Sequence, residues 1–439
     1  MKKYFLFFCL MLSLASLATA QEINVEAGAD AISAALVDAS EGAVLILSTD
    51  GGVYTESADV TVVPDVTIKA ADGLAAKPIW TTSGNNNIIL EGEHLSLEGI
   101  IFEGLSNSDS AESAVVNNAW YENVLKVNDC EFRNFKGAAI FKEADNQEII
   151  SFDSVFVSHS LFHDCESGIY LGGDHPSGSG QHSDNIPGTY YLSVENCTFY
   201  NLTELAIKLE AYIPSGEPVL VSVDHVTVNN CGEYGLYLKE INSTSMISNS
   251  ILTNCDAGVC VKYGPEDLIV YFSDVWNNTE NYSPKSGGGV SPGDGSFSED
   301  PMYANAATGD FTLLEGSPCI GTASDGQNMG DLRYTTTGVE DFNEALPTVI
   351  SLSQNYPNPF NPTTTIAYDL PHTTHVNLTI YDILGKQVKQ LINEQQVVGK
   401  YKVIWNTAND QGERVAAGLY FCRMEAEDFV DVIKLALVK

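Results

Sequence analysis

Five short segments between residues 137 and 263 repeat one design: "GAAIFKE", "SGIYLGG", "LAIKLEA", "YGLYLKE" and "AGVCVKY". Aligned on the small residue before each apolar pair, they place Ile140, Tyr170, Lys208, Tyr237 and Cys260 in one outward row. Lys142, Gly172, Glu210, Lys239 and Lys262 make a second row. Tyrosine stacks on sugar rings, and lysine offsets a carboxylate or takes a proton when its pKa is depressed. Lys208 and Lys239 are thus the candidate catalytic residues, as base or as charge neutraliser. Tyr170, Tyr237, Lys142, Glu210 and Lys262 are candidate substrate-binding residues. The competing reading is plainer: Lys and Tyr are common solvated residues on exposed strands.

A long insertion follows the strand that carries Tyr170. "GGDHPSGSGQHSDNIPGTYY", residues 172–191, holds Asp174, His175, His182 and Asp184 in a Gly/Ser-rich loop. Loops on a rigid scaffold tend to carry function. His175 and His182 are candidates for sugar contact, and Asp174 and Asp184 for a divalent cation such as Ca²⁺. The histidine spacing is not that of a tight metal site, so a solvated loop competes with both roles.

A coil repeat must position these residues. Phe132, Phe162, Phe199, Val228, Leu252 and Trp276 recur in one context, with Phe102 as an earlier copy, at intervals of 24 to 37 residues. Two positions after each comes Asn134, Asp164, Asn201, Asn230, Asn254 and Asn278, and one further lies Phe135, Cys165, Leu202, Cys231 and Cys255. Such a period signals stacked units that cannot bury their apolar faces singly. Within each unit apolar and polar residues alternate, which is the strand period. Asn tolerates the left-handed conformation of a tight turn, and stacked Asn side chains can bond from coil to coil. The pattern predicts an all-β chain whose main body is a right-handed parallel β-helix solenoid. Cys165, Cys231 and Cys255 then read as small buried hydrophobes, with stacked disulfides as the alternative.

The ends of the solenoid support this. "AGADAISAALVDASEGAVLILSTDGGVY" predicts an amphipathic helix at about 28–40, an N-terminal cap for the first coil. This start, and the closing "EDPMYANAATGDFTLLEGSPCIGTASDG" at 299–326, resemble secreted pectate-lyase-like right-handed β-helix proteins. The resemblance covers roughly residues 22–335. It implies a polysaccharide partner and, in lyases of this fold, Ca²⁺ or a basic group that offsets a uronate while a base removes the adjacent proton. Glycoside hydrolysis is put in doubt: around Glu166, Glu204, Glu233 and Asp256 there is no Asp-Asp pair, Gly-His-Gly or Arg-Ile-Lys. Asp224 and His225 fall where other coils carry Asn-Asp, Glu-Asn or Ser-Asn, and read as repeat filler.

After Glu340 the text changes. "YPNPFNPTT", "IYDILGKQV", "GKYKVIWN" and "VAAGLYFCRM" fall in order among alternating strands and Pro, Gly and Asn-Asp turns, which suggest an immunoglobulin-like β-sandwich. They resemble the type A C-terminal sorting domain of type IX secretion, implying that secretion machinery as partner. The expected layout is a signal peptide at 1–20, the β-helix at 21–335, a linker at 336–348 and the sandwich at 349–439. Lys2, Lys3, the apolar run "YFLFFCLMLSLASL" and the Ala18-x-Ala20 site carry the signal.

Composition bounds the partners. A formal charge of −37 repels nucleic acid and anionic membrane surfaces. An acidic glycan would need a local basic cleft or bridging cations. The N-terminal apolar run is too short and too early to be a convincing membrane span; the signal peptide and the sorting-domain resemblance together read as a protein secreted, or held on the outer surface of a Gram-negative-type bacterium. Two functions stay open: a polysaccharide-binding β-helix without turnover, and a divergent polysaccharide lyase acting on an acidic glycan.

Overall fold

A strand of three to six residues buries too little apolar surface to hold alone. In the computed structural model, which describes residues 20–82, 87–104, 113–117, 123–142, 154–172, 190–210, 219–241, 245–265, 267–334, 349–355, 358–360, 364–371, 374–396, 399–410, 414–427 and 429–438, stacking solves this. Successive coils each give one strand to three parallel sheets of 11, 9 and 9 strands. The first sheet runs from Glu22–Val25 to Val290–Pro292, the second from Val53–Glu56 to Asp274–Trp276, the third from Val60–Val62 to Glu280–Lys285. The body is a right-handed parallel β-helix, and its inward residues form one continuous core.

Identical positions stack on identical positions. Phe102, Phe132, Phe162 and Phe199 form a ladder of rings with centroids 4.6 to 4.8 Å apart, extended at one end by Trp80. Val228, Leu252 and Val275 continue the column. The expected Trp276 is one residue off: it pairs with Thr253 on the outer side, and Val275 is the buried residue. A slip of one residue exchanges the two faces of a strand, and the doubled Asn277-Asn278 hid the frame. The left-handed turn residues are accordingly Asn134, Asp164, Asn201, Asn230, Asn254 and Asn277, with Asn277 in place of Asn278. Asn230 donates to Asn201 at 2.9 Å and Asn277 to Asn254 at 2.6 Å, one coil to the next.

A second ladder joins the first and second sheets. The backbone N–H groups of Cys130, Val226, Ser250 and Ser273 donate to Ser160, Ser250, Ser273 and Ser296 hydroxyls at 3.1 Å. The eight cysteines from Cys130 onward are free and buried, not disulfide-bonded. Burial pushes the Cys165 and Cys197 thiols up to about 12, which leaves them unreactive.

The expected N-terminal helix forms over Ala31–Val37, shorter than 28–40, with Ile32 and Leu36 in the core. At the other end the chain turns back along the solenoid as a strap. Cys319 donates to Asp274, the Ser324 amide to the Asn249 side chain, and the Gly330 amide to the Asn249 carbonyl. His225 meets Asp325 at 3.0 Å and the Gly330 carbonyl at 3.2 Å, so it anchors the strap and is not repeat filler. Gly330 needs its missing side chain: its φ is +80°, and a Cβ would lie 2.7 Å from the Thr227 hydroxyl. Thr198 donates to the buried Asp331 carboxylate at 2.6 Å. Arg333 pairs with Asp331 and donates to the carbonyls of His159 and Ser160 at 3.0 Å. The strap thus runs back from the coil of Asp274 to that of His159.

The C-terminal unit is an antiparallel two-sheet sandwich. Ser351–Leu352, Thr364–Leu370 and Gly399–Trp405 face Thr374–Asp382, Gln387–Gln396, Gly418–Ala426 and Phe429–Leu437 across a core holding Tyr368, Trp405, Leu378 and Cys422. Tyr191 and Leu220, on the outer side of the first sheet, join that core, and Tyr191 lies 5.3 Å from the Tyr401 ring.

Candidate functional site

Strand register decides which candidates meet. On the outer side of the third sheet Phe141, Tyr170, Lys208, Tyr237, Cys260 and Ser283 form one column. Gly172, Glu210, Lys239, Lys262 and Lys285 form the next. Ile140 therefore leaves the row: it pairs with Ile169 and is fully buried, and Phe141 takes its place 5.5 Å from Tyr170. Lys142 pairs with Leu171, not Gly172, and its side chain falls outside the described residues. The doubled Ala138-Ala139 caused the slip, since either alanine fits the small inward position. Asp174, His175, His182 and Asp184 also lie outside the described residues.

The centre of the face is a network rather than a row of free side chains. Lys208 Nζ donates to the Tyr170 hydroxyl at 2.7 Å and lies 3.1 Å from Glu210 Oε2. Its ammonium sits 4.1 Å from the Tyr170 ring centroid and 5.7 Å from that of Tyr237, within cation–π range. Lys239 Nζ meets Glu210 Oε1 at 2.7 Å. Glu210 and Lys239 are 6% and 7% exposed, so the face is half-buried rather than the open one expected, and Cys260 at its end is fully buried. Burial lowers the Lys208 pKa, but the Tyr170 hydroxyl and the Glu210 carboxylate outweigh it and raise the value. Burial likewise raises Glu210, and the two lysines together hold it below the carboxylate range. Lys208 is thus a fixed cation and not a depressed-pKa base.

Three further groups surround this centre that sequence reasoning missed. Tyr234 packs edge-on to Tyr237 at 5.1 Å, and Lys285 donates to the Tyr234 hydroxyl at 2.9 Å. Tyr263, 52% exposed, lies 5.3 Å from Lys262 Nζ. Lys285 was within reach of the pattern: "ENYSPK" is one more third-sheet strand, masked by a proline at an inward position.

Two other clusters lie elsewhere. Asp65, Glu93 and His94 are the one group among the described residues close enough to share a cation, but His94 Nδ1 already meets Asp65 at 2.9 Å. On the outer side of the second sheet, Arg133 joins Glu103 and Glu131, at 2.9 and 2.8 Å. His163 Nδ1 meets Asp164 at 2.7 Å and Nε2 meets Glu131 at 3.2 Å, while its ring stacks on Tyr200. Two carboxylate partners require the imidazolium. Burial lowers the His163 pKa, but Glu131 and Asp164 outweigh it and raise the value. A raised folded pKa gives stability that is whole below the unfolded pKa and lost as pH rises through the folded one. The melting-temperature advantage of the native chain over His163→Gln should therefore be whole below about pH 6.5, the unfolded value, and shrink as pH rises through the higher folded one. A constant difference across that rise would remove His163 from this role.

Residues 354–438 match the family described as "Secretion system C-terminal sorting domain". The sandwich is a sorting domain. The sorting domain directs export by type IX secretion, to the cell surface or the medium. No helix among the described residues is long and apolar enough to cross a membrane. No curated protein matches the chain.

Among solved structures, the chain is similar to the PL6 family alginate lyase AlyGC at 15% identity and a TM-score of 0.35, covering 65% of this chain and 40% of that one. It spans less than half of that relative's length. It is also similar to the pectate lyase Pel9A, at 10% identity and a TM-score of 0.40, covering 71% of this chain and 96% of that one. Pantoea stewartii WceF, a glycan biofilm modifying enzyme with a bacteriophage tailspike-like parallel β-helix fold, is similar at 11% identity and a TM-score of 0.28, covering 90% and 64%. At such identities the likeness is one of fold alone.

Proposed function

We propose that this exported protein is a polysaccharide-binding scaffold whose third-sheet face holds a glycan without cleaving it. The state of Lys208 carries the reading. Its ammonium is fixed between Tyr170 and Glu210 with a raised pKa, so it can order two aromatic rings but cannot accept a proton near neutrality. Tyr170 and Tyr237 offer half-buried rings on the two strands that flank the Lys208 strand, a geometry suited to stacking against sugar. Glu210, held by Lys239, braces that platform from the next column through Lys208. An exported protein meets extracellular polysaccharide, and the strongly negative remainder of the surface repels other polyanions.

The test is retention of the full mature chain in gels cast with a panel of neutral and acidic polysaccharides. Tyr170→Ala and Tyr237→Ala should each weaken retention roughly tenfold, the loss of one aromatic contact, with unchanged circular dichroism. In parallel, ultraviolet absorbance at unsaturated uronate ends is followed with Ca²⁺ and with chelator. A rise that Lys239→Ala abolishes would make the protein a lyase and overturn the binding-only reading.

A further inference from the structure

Beyond Lys239 the lysine column continues without an ion pair among the described residues. Lys239 pairs in register with Lys262, and Lys262 with Lys285, on three adjacent coils about 4.8 Å apart. Only Lys239 has an ion-pair partner among the described residues. Lys285 has the Tyr234 hydroxyl, and Lys262 faces the Tyr263 ring. Glu280, on the Lys285 strand, acts on Lys285 through the field without forming an ion pair among the described residues. Like charges directly opposed on neighbouring strands repel and destabilise the sheet. Here they are stacked in a chain of 58 acidic and only 21 basic residues, where an acidic neighbour would be the commonest choice.

Tyr263 is the second observation. It holds a left-handed backbone at φ 49°, which is strained for a bulky aromatic residue, and half of its surface is open to solvent. Glu240 and Ser286 close the two neighbouring strands with the same left-handed turn, so the coil sets the backbone there, and a bulky aromatic ring is the uncommon occupant of that position. The ring sits beside the Lys262 ammonium, at the exit of the strand Ala257–Lys262.

We propose that Lys262 and Lys285 form an anion subsite, with Tyr263 as its stacking wall, for an acidic group borne on the glycan. The ligand class is a polysaccharide carrying carboxylate or sulfate groups. This deepens the polysaccharide-binding reading and rests on it. Tyr170 and Tyr237 hold the sugar rings, and the lysine pair selects the charge. The two lysines leave strands one spacing apart on one face, close enough for one anion to bridge them. The surrounding negative surface excludes anions that cannot also stack.

The experiment compares retention of the full mature chain in gels containing polygalacturonate, its methyl ester, dextran sulfate or dextran. The proposal expects polygalacturonate or dextran sulfate to be retained at least tenfold more tightly than its uncharged counterpart. Whichever polymer it is tells carboxylate from sulfate. Lys262→Gln and Lys285→Gln should each remove about tenfold of that preference, the worth of one charge-assisted contact, with a smaller effect on the uncharged polymer and unchanged circular dichroism. Tyr263→Ala should weaken the charged polymer more than the uncharged one. Equal retention of charged and uncharged polymers, lost in Tyr170→Ala but not in the lysine variants, would overturn the subsite and leave the scaffold reading standing. No retention on any of the four, alongside circular dichroism of a folded chain, would count against both.

Discussion

Glu210→Ala should lower stability by about 3–5 kcal/mol, the cost of stranding a buried charge after its partner is removed. The carboxylate is 6% exposed and binds two ammonium groups, Lys239 at 2.7 Å and Lys208 at 3.1 Å. Without it the 7% exposed Lys239 holds an uncompensated charge, and Lys208 keeps only the Tyr170 hydroxyl and the neighbouring rings. The sign of the pH dependence follows. A carboxyl with a depressed folded pKa stabilises above its unfolded value, and that contribution fades as pH falls through the folded one. Below about pH 4 the wild type should therefore converge on the variant. A solenoid unfolds in segments as well as globally, so hydrogen exchange over Leu205–Glu210 reads the effect where a melting temperature alone could dilute it. Unchanged protection of those amides in Glu210→Ala would show that the triad contributes little.

Asp331→Ala is the second large effect, again about 3–5 kcal/mol. Its carboxylate is buried, accepts from Thr198 at 2.6 Å and pairs with Arg333. Arg333 in turn ties the strap to the His159 and Ser160 carbonyls. Truncation leaves the guanidinium half-satisfied and the Thr198 hydroxyl without its acceptor. The strap should then fray from its far end. Limited proteolysis should cut within residues 320–334 faster in the variant, while the core amides of the ring ladder stay protected. Cleavage at the native rate would mean that the His225, Asn249 and Asp274 anchors hold the strap unaided.

The coil was legible because a repeating position constrains residue type at every copy. The Phe column, the Asn turn and the buried Cys positions each appear five or six times, and an error at one copy is outvoted by the rest. Register within a copy was less secure. Ala138-Ala139 and Asn277-Asn278 each offer two frames, and the wrong one sent Ile140 and Trp276 to the wrong face. Lys208, Glu210, Lys239 and the two tyrosines were correctly placed together, yet their electrostatics were not readable. Whether a lysine is a base or a fixed cation depends on an ångström-scale partner, and Glu210 appeared only as one more polar residue. The strap was least visible of all: Thr198 and Asp331 lie 133 positions apart and belong to residue types found on any surface.

Because the strap returns to the coil of His159 before the chain leaves the solenoid, the point of departure lies near mid-length, where Tyr191 also touches the sorting domain. The contact does not end there: Ile269, Tyr271 and Pro292, on the last two strands of the first sheet, line a cleft with Asn406, Ala408 and Arg414 of the same domain. Held through that domain, the solenoid is gripped along one side of its later coils, and its first coils project beyond the grip. The lysine and tyrosine columns belong to these same coils but stand on the third sheet, so the side that is gripped and the side that would meet a glycan are different faces of one prism.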